Sequence, residues 1–294
     1  MAFQMIDYEK DGRIAKITLN RPAKQNALRP EMWEEMDAAL ADAQRDRDIR
    51  VIILQGAGNS FCAGFDFSDG LAHYDGLSEA NYDPGMDVIG VTNPFTAPIP
   101  AFMRIWRSSK PVIAKVHGWC VGGGSEMALC ADLVIASDDA RFGTPYSRVW
   151  GCHLTGMWIY RLGLTRAKFH ALTGESVSGA EAADIGLINF AYPLEDLDEK
   201  AAYWAERLAQ IPLTQLAAMK LIVNQAYDNM GLSSTQYLGT VLDGIMRNTP
   251  EGREFVRTSQ EQGVHAAVQN RDGPFGDYSQ GPPEKKPRRR KPRS

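Results

Sequence analysis

Apolar and polar residues change their period along the chain, and the changes divide it into elements. Residues 5–8 and 13–19 alternate as strands do when one face is buried, and Asp11-Gly12 between them is a strong turn signal, so the sequence predicts a strand pair. The period then lengthens. Pro30 stands where a helix would begin, Glu31 and Glu34 occupy its opening turn, and Trp33, Met36, Leu40 and Ala43 trace one apolar face. Residues 51–55, 112–116 and 133–136 are nearly continuous apolar runs, as expected of strands covered on both faces. Strands interleaved with helices predict a largely parallel α/β core. Between them, residues 71–109 read as a long connection rich in turn signals. Beyond residue 195 the spacing is helical: Leu197, Ala201, Trp204 and Leu208, then Leu216, Met219, Leu221 and Ile222, and more loosely Tyr237, Val241, Ile245 and Met246.

Composition narrows the class. A chain of 294 residues with 44% hydrophobic content is ample for a substantial core. Asp7, Glu9, Lys10 and Asp11 interrupt its start, and the longest apolar stretch, residues 112–136, contains Lys115, Glu126, Asp132 and three consecutive glycines, so no membrane insertion is expected. Cys62, Cys120, Cys130 and Cys152 have neither CxxC nor metal-ligand spacing and read as reduced core thiols of a cytoplasmic protein.

Charge adds an asymmetry. Residues 285–294 hold seven basic residues and no acidic ones; without these seven positive charges the formal net of −4 becomes −11, an acidic body unsuited to a broad nucleic-acid face. The expected organisation is a core over residues 1–195, a helical region over 196–265, and a disordered basic tail over 266–294. That tail is either simply solvated or a contact for RNA, a membrane surface or an acidic partner.

Two short segments carry the candidate chemistry: Cys62-Ala63-Gly64-Phe65-Asp66 and Gly122-Gly123-Gly124-Ser125-Glu126. Each follows an apolar run, so each reads as a strand end where glycine lets the backbone turn its N–H groups toward a ligand, although glycines also serve close helix–sheet packing. Glu126, three positions after Gly123, stands at a helix start with a carboxylate suited to proton transfer, or as an ordinary first-turn glutamate. The spacing is not that of a GxGxxG loop and lacks a phosphate-binding lysine; no metal or separate cofactor is expected.

The ordered set of motifs resembles the crotonase, or enoyl-CoA hydratase/isomerase, superfamily. Besides these two segments it comprises Asn20-Arg21-Pro22, Asn26-Ala27-Leu28, Phe142-Gly143-Thr144-Pro145 and Leu172-Thr173-Gly174, spread over roughly residues 10 to 230. The resemblance implies an α/β spiral of β-β-α repeats with a C-terminal helical region that covers the site and packs homotrimers, often paired into hexamers. It implies an acyl-CoA substrate whose thioester oxygen lies between the amides of Phe65 and Gly123, with Lys24, Ala27, Leu28, Ala63, Gly64, Asp66 and Gly122 on the CoA side and Glu126 as acid/base. One departure matters. Where hydratases of this family carry a second glutamate, in Phe-Gly-x-Pro-Glu, this chain has Tyr146, and a phenol is a poor base at neutral pH.

Tyr146 itself and His153 are therefore the further catalytic candidates, and Arg148 is a candidate for binding an acyl carboxylate. His117 reads as structural, and Asp66 as a turn cap as much as a contact. His73, Tyr74, Phe95, Phe102 and Trp106 are candidates to line an acyl pocket. The expected activity is enoyl-CoA hydration. A single-acid relative (isomerase, thioester hydrolase or decarboxylase) and a non-catalytic acyl-CoA or RNA binder are the alternatives.

Overall fold

A computed structural model describes residues 3–68 and 83–278. Strands β1 (Ile6–Asp11) and β2 (Ile14–Leu19) pair antiparallel around Gly12, whose φ of 55° suits the tight turn. Along β2 the alternation is as expected: Ala15, Ile17 and Leu19 are buried in the core. Helix α1 (Pro30–Arg45) begins at its proline and buries Met32, Trp33, Met36, Ala39, Leu40 and Ala43. Strand β3 (Val51–Gly56) then lies parallel to β2.

The connection after β3 differs from its sequence reading. It holds two helices, α2 (Pro84–Thr92) and α3 (Pro98–Arg107), each started by proline, and Asp83 caps the first by accepting from the amides of Gly85 and Met86. Proline at a helix start and proline in a turn look alike in a sequence, which is why the segment reads as loop. Ile99, Phe102, Met103 and Trp106 of α3 face the core. Residues 69–82, with His73 and Tyr74, lie outside the described residues.

There follow β4 (Val112–Val116), β5 (Trp119–Val121), α4 (Gly123–Ala128), β6 (Leu133–Ser137), β7 (Arg141–Gly143), α5 (Met157–Leu162), α6 (Leu164–Thr173), β8 (Val177–Ser178), α7 (Gly179–Asp184) and β9 (Phe190–Tyr192). Six strands form one sheet in the order β1-β2-β3-β4-β6-β9, parallel from β2 onward; β5-β7-β8 form a second. Each pass of the chain adds one strand to each sheet and then a helix: β4, β5, α4, then β6, β7, α5. The pass beginning with β3 does the same through Cys62, which forms an isolated parallel bridge to Cys120 of β5. This is the β-β-α spiral.

The C-terminal region is helical: α8 (Leu197–Ala209), α9 (Leu213–Asn229), α10 (Leu232–Met246), α11 (Pro250–Gln262) and α12 (Val264–Asp272). Leu197, Ala205 and Ala209 of α8 cover the sheet face that bears Val51, Ile53, Ile113 and Ile135, which explains the apolar runs: both faces of these strands are buried. Helix α10 packs on α2, with Gly244 against Val88 and Val91. On α9, Met219, Leu221, Ile222 and Val223 are exposed.

The tail expected from residue 266 is ordered further than that. Helix α12 spans the boundary, Asp272 is fully buried, and the Tyr278 hydroxyl donates to the Gly174 carbonyl at 2.9 Å. A polar, turn-rich composition concealed contacts made with distant parts of the chain. Residues 279–294, including the basic run, lie outside the described residues. Among the described residues no helix is long and apolar enough to cross a membrane.

Candidate active site

The two glycine-bearing segments meet. Gly64 and Gly122 hold φ of 101° and 54°, a region side-chain-bearing residues rarely enter, and a Cβ on Gly64 would stand 3.0 Å from the Val121 carbonyl. The first segment is held by the loop before it: Ala63 N–H donates to the Gln25 carbonyl, Leu28 N–H to Gly64, and Asp66 N–H to Leu28, at 2.8–3.0 Å. The second is held by β7, since Gly122 N–H donates to the Gly143 carbonyl at 2.8 Å. A Cβ on Gly123 would lie 2.7 Å from the Phe65 ring, and one on Gly124 2.5 Å from the Cys62 carbonyl, so the close approach needs glycine at both.

Ala63, Gly64, Phe65, Gly122 and Gly123 line a single cavity of about 290 Å³. Its remaining wall is mostly apolar, with Trp33, Val91, Ile99, Leu154 and a ring cluster in which Phe67, Trp150 and Phe255 meet edge to face. Lys24 is exposed, Ala27 is half-buried and Leu28 is buried in the core; none of the three lines the cavity, though the Leu28–Phe65 bridge sets them beside it. Their loop depends on Asn26, which holds φ of 53°, donates to the carbonyls of Ala57 and Ser60 and accepts from Arg21 N–H, all at 2.8 Å.

Asp66 ties this loop together. It pairs with Arg21 at 2.8 Å and accepts from Ser68 N–H at 2.9 Å. Burial alone would raise its carboxyl, but the Ser68 hydrogen bonds and the Arg21 charge hold it below the usual carboxylate value.

Glu126 is fully buried on α4. Its Oε1 accepts from Leu154 N–H at 3.2 Å, its Oε2 accepts from Thr155 N–H at 3.0 Å and from the Thr155 hydroxyl, and His153 Nδ1 stands 3.5 Å from Oε1. The carboxylate is directly behind the cavity wall, for Leu154 lines the cavity and Glu126 does not.

Tyr146 does line it. Its ring packs on Gly151, where a Cβ would stand 2.5 Å away, and meets His153 edge-on at 5.9 Å between centroids. Burial above all, with the charges of Glu126 and Asp243 added, holds the phenol well above its ordinary value. Neither the Tyr146 hydroxyl nor either ring nitrogen of His153 has a hydrogen-bond partner among the described residues. Glu126, Tyr146 and His153 are thus brought together.

Other candidates are committed elsewhere. Arg148 reaches Asp272 at 3.1 Å and Asp277 at 2.6 Å, donates to the Thr173 carbonyl, and is nearly fully buried, so it is not available to a substrate carboxylate. His117 Nε2 contacts the Gly58 carbonyl at 2.8 Å, the structural role read from its position. Phe102 and Trp106 are core residues and Phe95 is exposed; none of these lines the cavity. Cys62, Cys120 and Cys130 are buried and free, and burial pushes the Cys62 thiol up to about 12.

Sequence reasoning missed Asp87 of α2, Asp243 of α10 and Arg247 at that helix's C-terminal end, which line the cavity together. Arg247 Nη2 stands 3.1 Å from Asp87 and 3.7 Å from Asp243. No local motif announces them. The one available signal was Asp243 and Arg247 at i, i+4 on a helical run.

The chain matches the enoyl-CoA hydratase/isomerase family over residues 9–249. It is 30% identical over 271 residues to a "Probable enoyl-CoA hydratase, mitochondrial" of Dictyostelium discoideum, covering 90% of this chain and 87% of that one. It is 32% identical over 268 residues to a "Probable enoyl-CoA hydratase" of Rhodobacter capsulatus, covering 89% and 97%. Among solved structures, an enoyl-CoA hydratase from Mycobacterium smegmatis superposes with a TM-score of 0.86 at 39% identity over 94% of this chain and 96% of that one. An enoyl-CoA hydratase/isomerase from Xanthobacter autotrophicus Py2 gives 0.82 at 31%, over 93% and 99%. With a match across most of its length and the β-β-α spiral in common, the chain belongs to the enoyl-CoA hydratase/isomerase, or crotonase, family.

Proposed function

We propose that the protein catalyses the reversible addition of water to a 2-enoyl-CoA. The observation that carries this reading is that two separate glycine-bearing segments line one largely apolar cavity, with a buried carboxylate immediately behind it. In the proposed reaction the thioester oxygen lies between the amides of Phe65 and Gly123. As water adds to the β carbon, the electron pair of the double bond moves toward that oxygen, and the two N–H groups stabilise the enolate; one such donor is worth about 3 to 4 kcal/mol. Only main-chain atoms are needed, so a phenylalanine side chain is acceptable at 65. Glu126 transfers the proton at the α carbon, and Tyr146 and His153 complete its surroundings.

The apolar residues exposed on α9 support assembly as a homotrimer or a hexamer, which would cover them. One observation favours a second reading, double-bond isomerisation: Tyr146 stands where a second carboxylate would be, leaving the glycine-bearing wall with one proton carrier. Following loss of the enoyl absorbance with crotonoyl-CoA and longer 2-enoyl-CoAs tests the proposal. Hydration supports it; conversion of 3-enoyl-CoAs without hydration selects the isomerase; thioester binding with no turnover overturns both.

A further inference from the structure

Adding water across a double bond requires a group that takes a proton from water and a group that gives one to the α carbon. On the glycine-bearing wall Asp66 is committed to Arg21, which leaves Glu126, and its oxygens are engaged by Leu154 and Thr155 behind the cavity surface. Among the described residues, three carboxylates line the cavity itself: Glu34, Asp87 and Asp243. Glu34 is exposed, and Asp87 is buried against Arg247. Asp243 is intermediate: its side chain is 15% exposed, and it reaches the cavity surface beside Thr240 and Arg247.

Helix α10 is also tied to the segment that holds Glu126. Gln236 Nε2 donates to the Thr155 carbonyl at 2.8 Å, and the same Thr155 gives its hydroxyl to Glu126. One turn further on, Gly239 packs against the His153 carbonyl, where a Cβ would stand only 2.9 Å away. Gln236, Thr240, Asp243 and Arg247 follow one helix face, which places Asp243 about 10 Å along the axis from the Gln236 anchor.

We propose that Asp243 is a second catalytic residue of this cavity, the base that takes a proton from the attacking water. The inference rests on the hydration reading given above. As the water oxygen bonds to the β carbon, its proton passes to the Asp243 carboxylate and the π pair moves onto the thioester oxygen. The enolate then takes a proton at the α carbon from Glu126. Asp243 releases its proton to solvent as Glu126 regains one, so the net change is the addition of one water.

The surroundings suit a base at neutral pH. Burial pushes the Asp243 carboxyl up to about 6, Arg247 at the end of its helix opposes this, and the charge of Asp87 on α2 adds to it, as does that of Glu126 on α4 once Glu126 has given up its proton. Tyr146 and Cys152 face it from the segment after β7, and Arg271 of α12, paired with Asp272, lines the same cavity. A base must be charged to act, so turnover should fall as pH drops through this value.

The test is the pH dependence of kcat and KM for crotonoyl-CoA, with butyryl-CoA binding as the check on the cavity. Asp243→Asn should lower kcat about 100-fold, leave KM and butyryl-CoA affinity within about threefold, and abolish the acidic limb, while Asp243→Glu recovers part of the rate. Asp87→Asn removes a charge that raises Asp243 and frees Arg247 to pair with it, so the limb should move to lower pH. Asp243→Asn within about threefold of the normal kcat, or with butyryl-CoA affinity lost in step with kcat, overturns the assignment. If that variant does not fold, an acidic limb unmoved by Asp87→Asn overturns it instead. Failure of the unsubstituted protein to hydrate any enoyl-CoA overturns the hydration reading itself, and this inference with it.

Discussion

Two walls of the same cavity are built on opposite principles. The wall formed by residues 62–66 and 122–126 works with its main chain, and glycine stands at 64, 123 and 124 because the two segments pass within van der Waals distance of each other there. The wall formed by α2 and α10 works with side chains, burying Asp87, Asp243 and Arg247 against one another. The first has no room for an added Cβ at Gly123 or Gly124. The second depends on charge balance, because a buried ion that loses its partner is costly.

This contrast can be broken in graded steps. The largest effect should come from Glu126→Gln, which removes a proton carrier but keeps the hydrogen-bond acceptor for Leu154: kcat should fall about 10² to 10⁴-fold with butyryl-CoA affinity preserved, measured by steady-state kinetics and calorimetry. A normal rate would remove Glu126 from the mechanism. Next comes Gly124→Ala, whose methyl would meet the Cys62 carbonyl and side chain at 2.5 to 2.9 Å; with backbone on one side, a loss of about 3 kcal/mol is expected in denaturant unfolding. The same change at Gly186, which has open space around its α carbon but φ of 82°, should cost less, about 1 kcal/mol.

A smaller effect, about 1 kcal/mol, is expected for Arg21→Ala, which releases Asp66 from its pair. Its sign with pH is fixed. The Asp66 carboxyl is lowered in the folded protein, so its contribution is complete above the ordinary carboxylate value near 4 and is lost as pH falls through the folded value; the gap between the two proteins should close in acid. The smallest effect should follow removal of residues 285–294, to which the proposed mechanism assigns no role: kcat/KM and unfolding should be unchanged within about 0.5 kcal/mol.

The same contrast explains how much could be read from the sequence. Main-chain chemistry leaves a local signature, since glycines at 64 and 122–124 and the carboxylate at 126 are fixed by the turn they make, and the strands declare themselves through burial on both faces. Side-chain chemistry assembled by tertiary contact leaves none. Asp243 looks like any acidic residue on a helix until α10 is laid over residues 152–155. Arg148 looked free because its carboxylate partners lie in a stretch that composition marks as tail, and α2 and α3 were concealed by prolines that start helices.

Arg148 has a consequence for biogenesis. It shares one short turn with Tyr146, and its partners Asp272 and Asp277 are 124 and 129 residues further along the chain. On the ribosome, the spiral's strands can pair as they emerge, but until nearly the whole polypeptide has been made this guanidinium has only the more distant Glu175 carboxylate, at 3.9 Å, and the Thr173 carbonyl. A chain that ends just before residue 272 therefore contains every strand of both sheets but lacks both aspartates that hold Arg148 and the Tyr278 ring that lies beside Trp119.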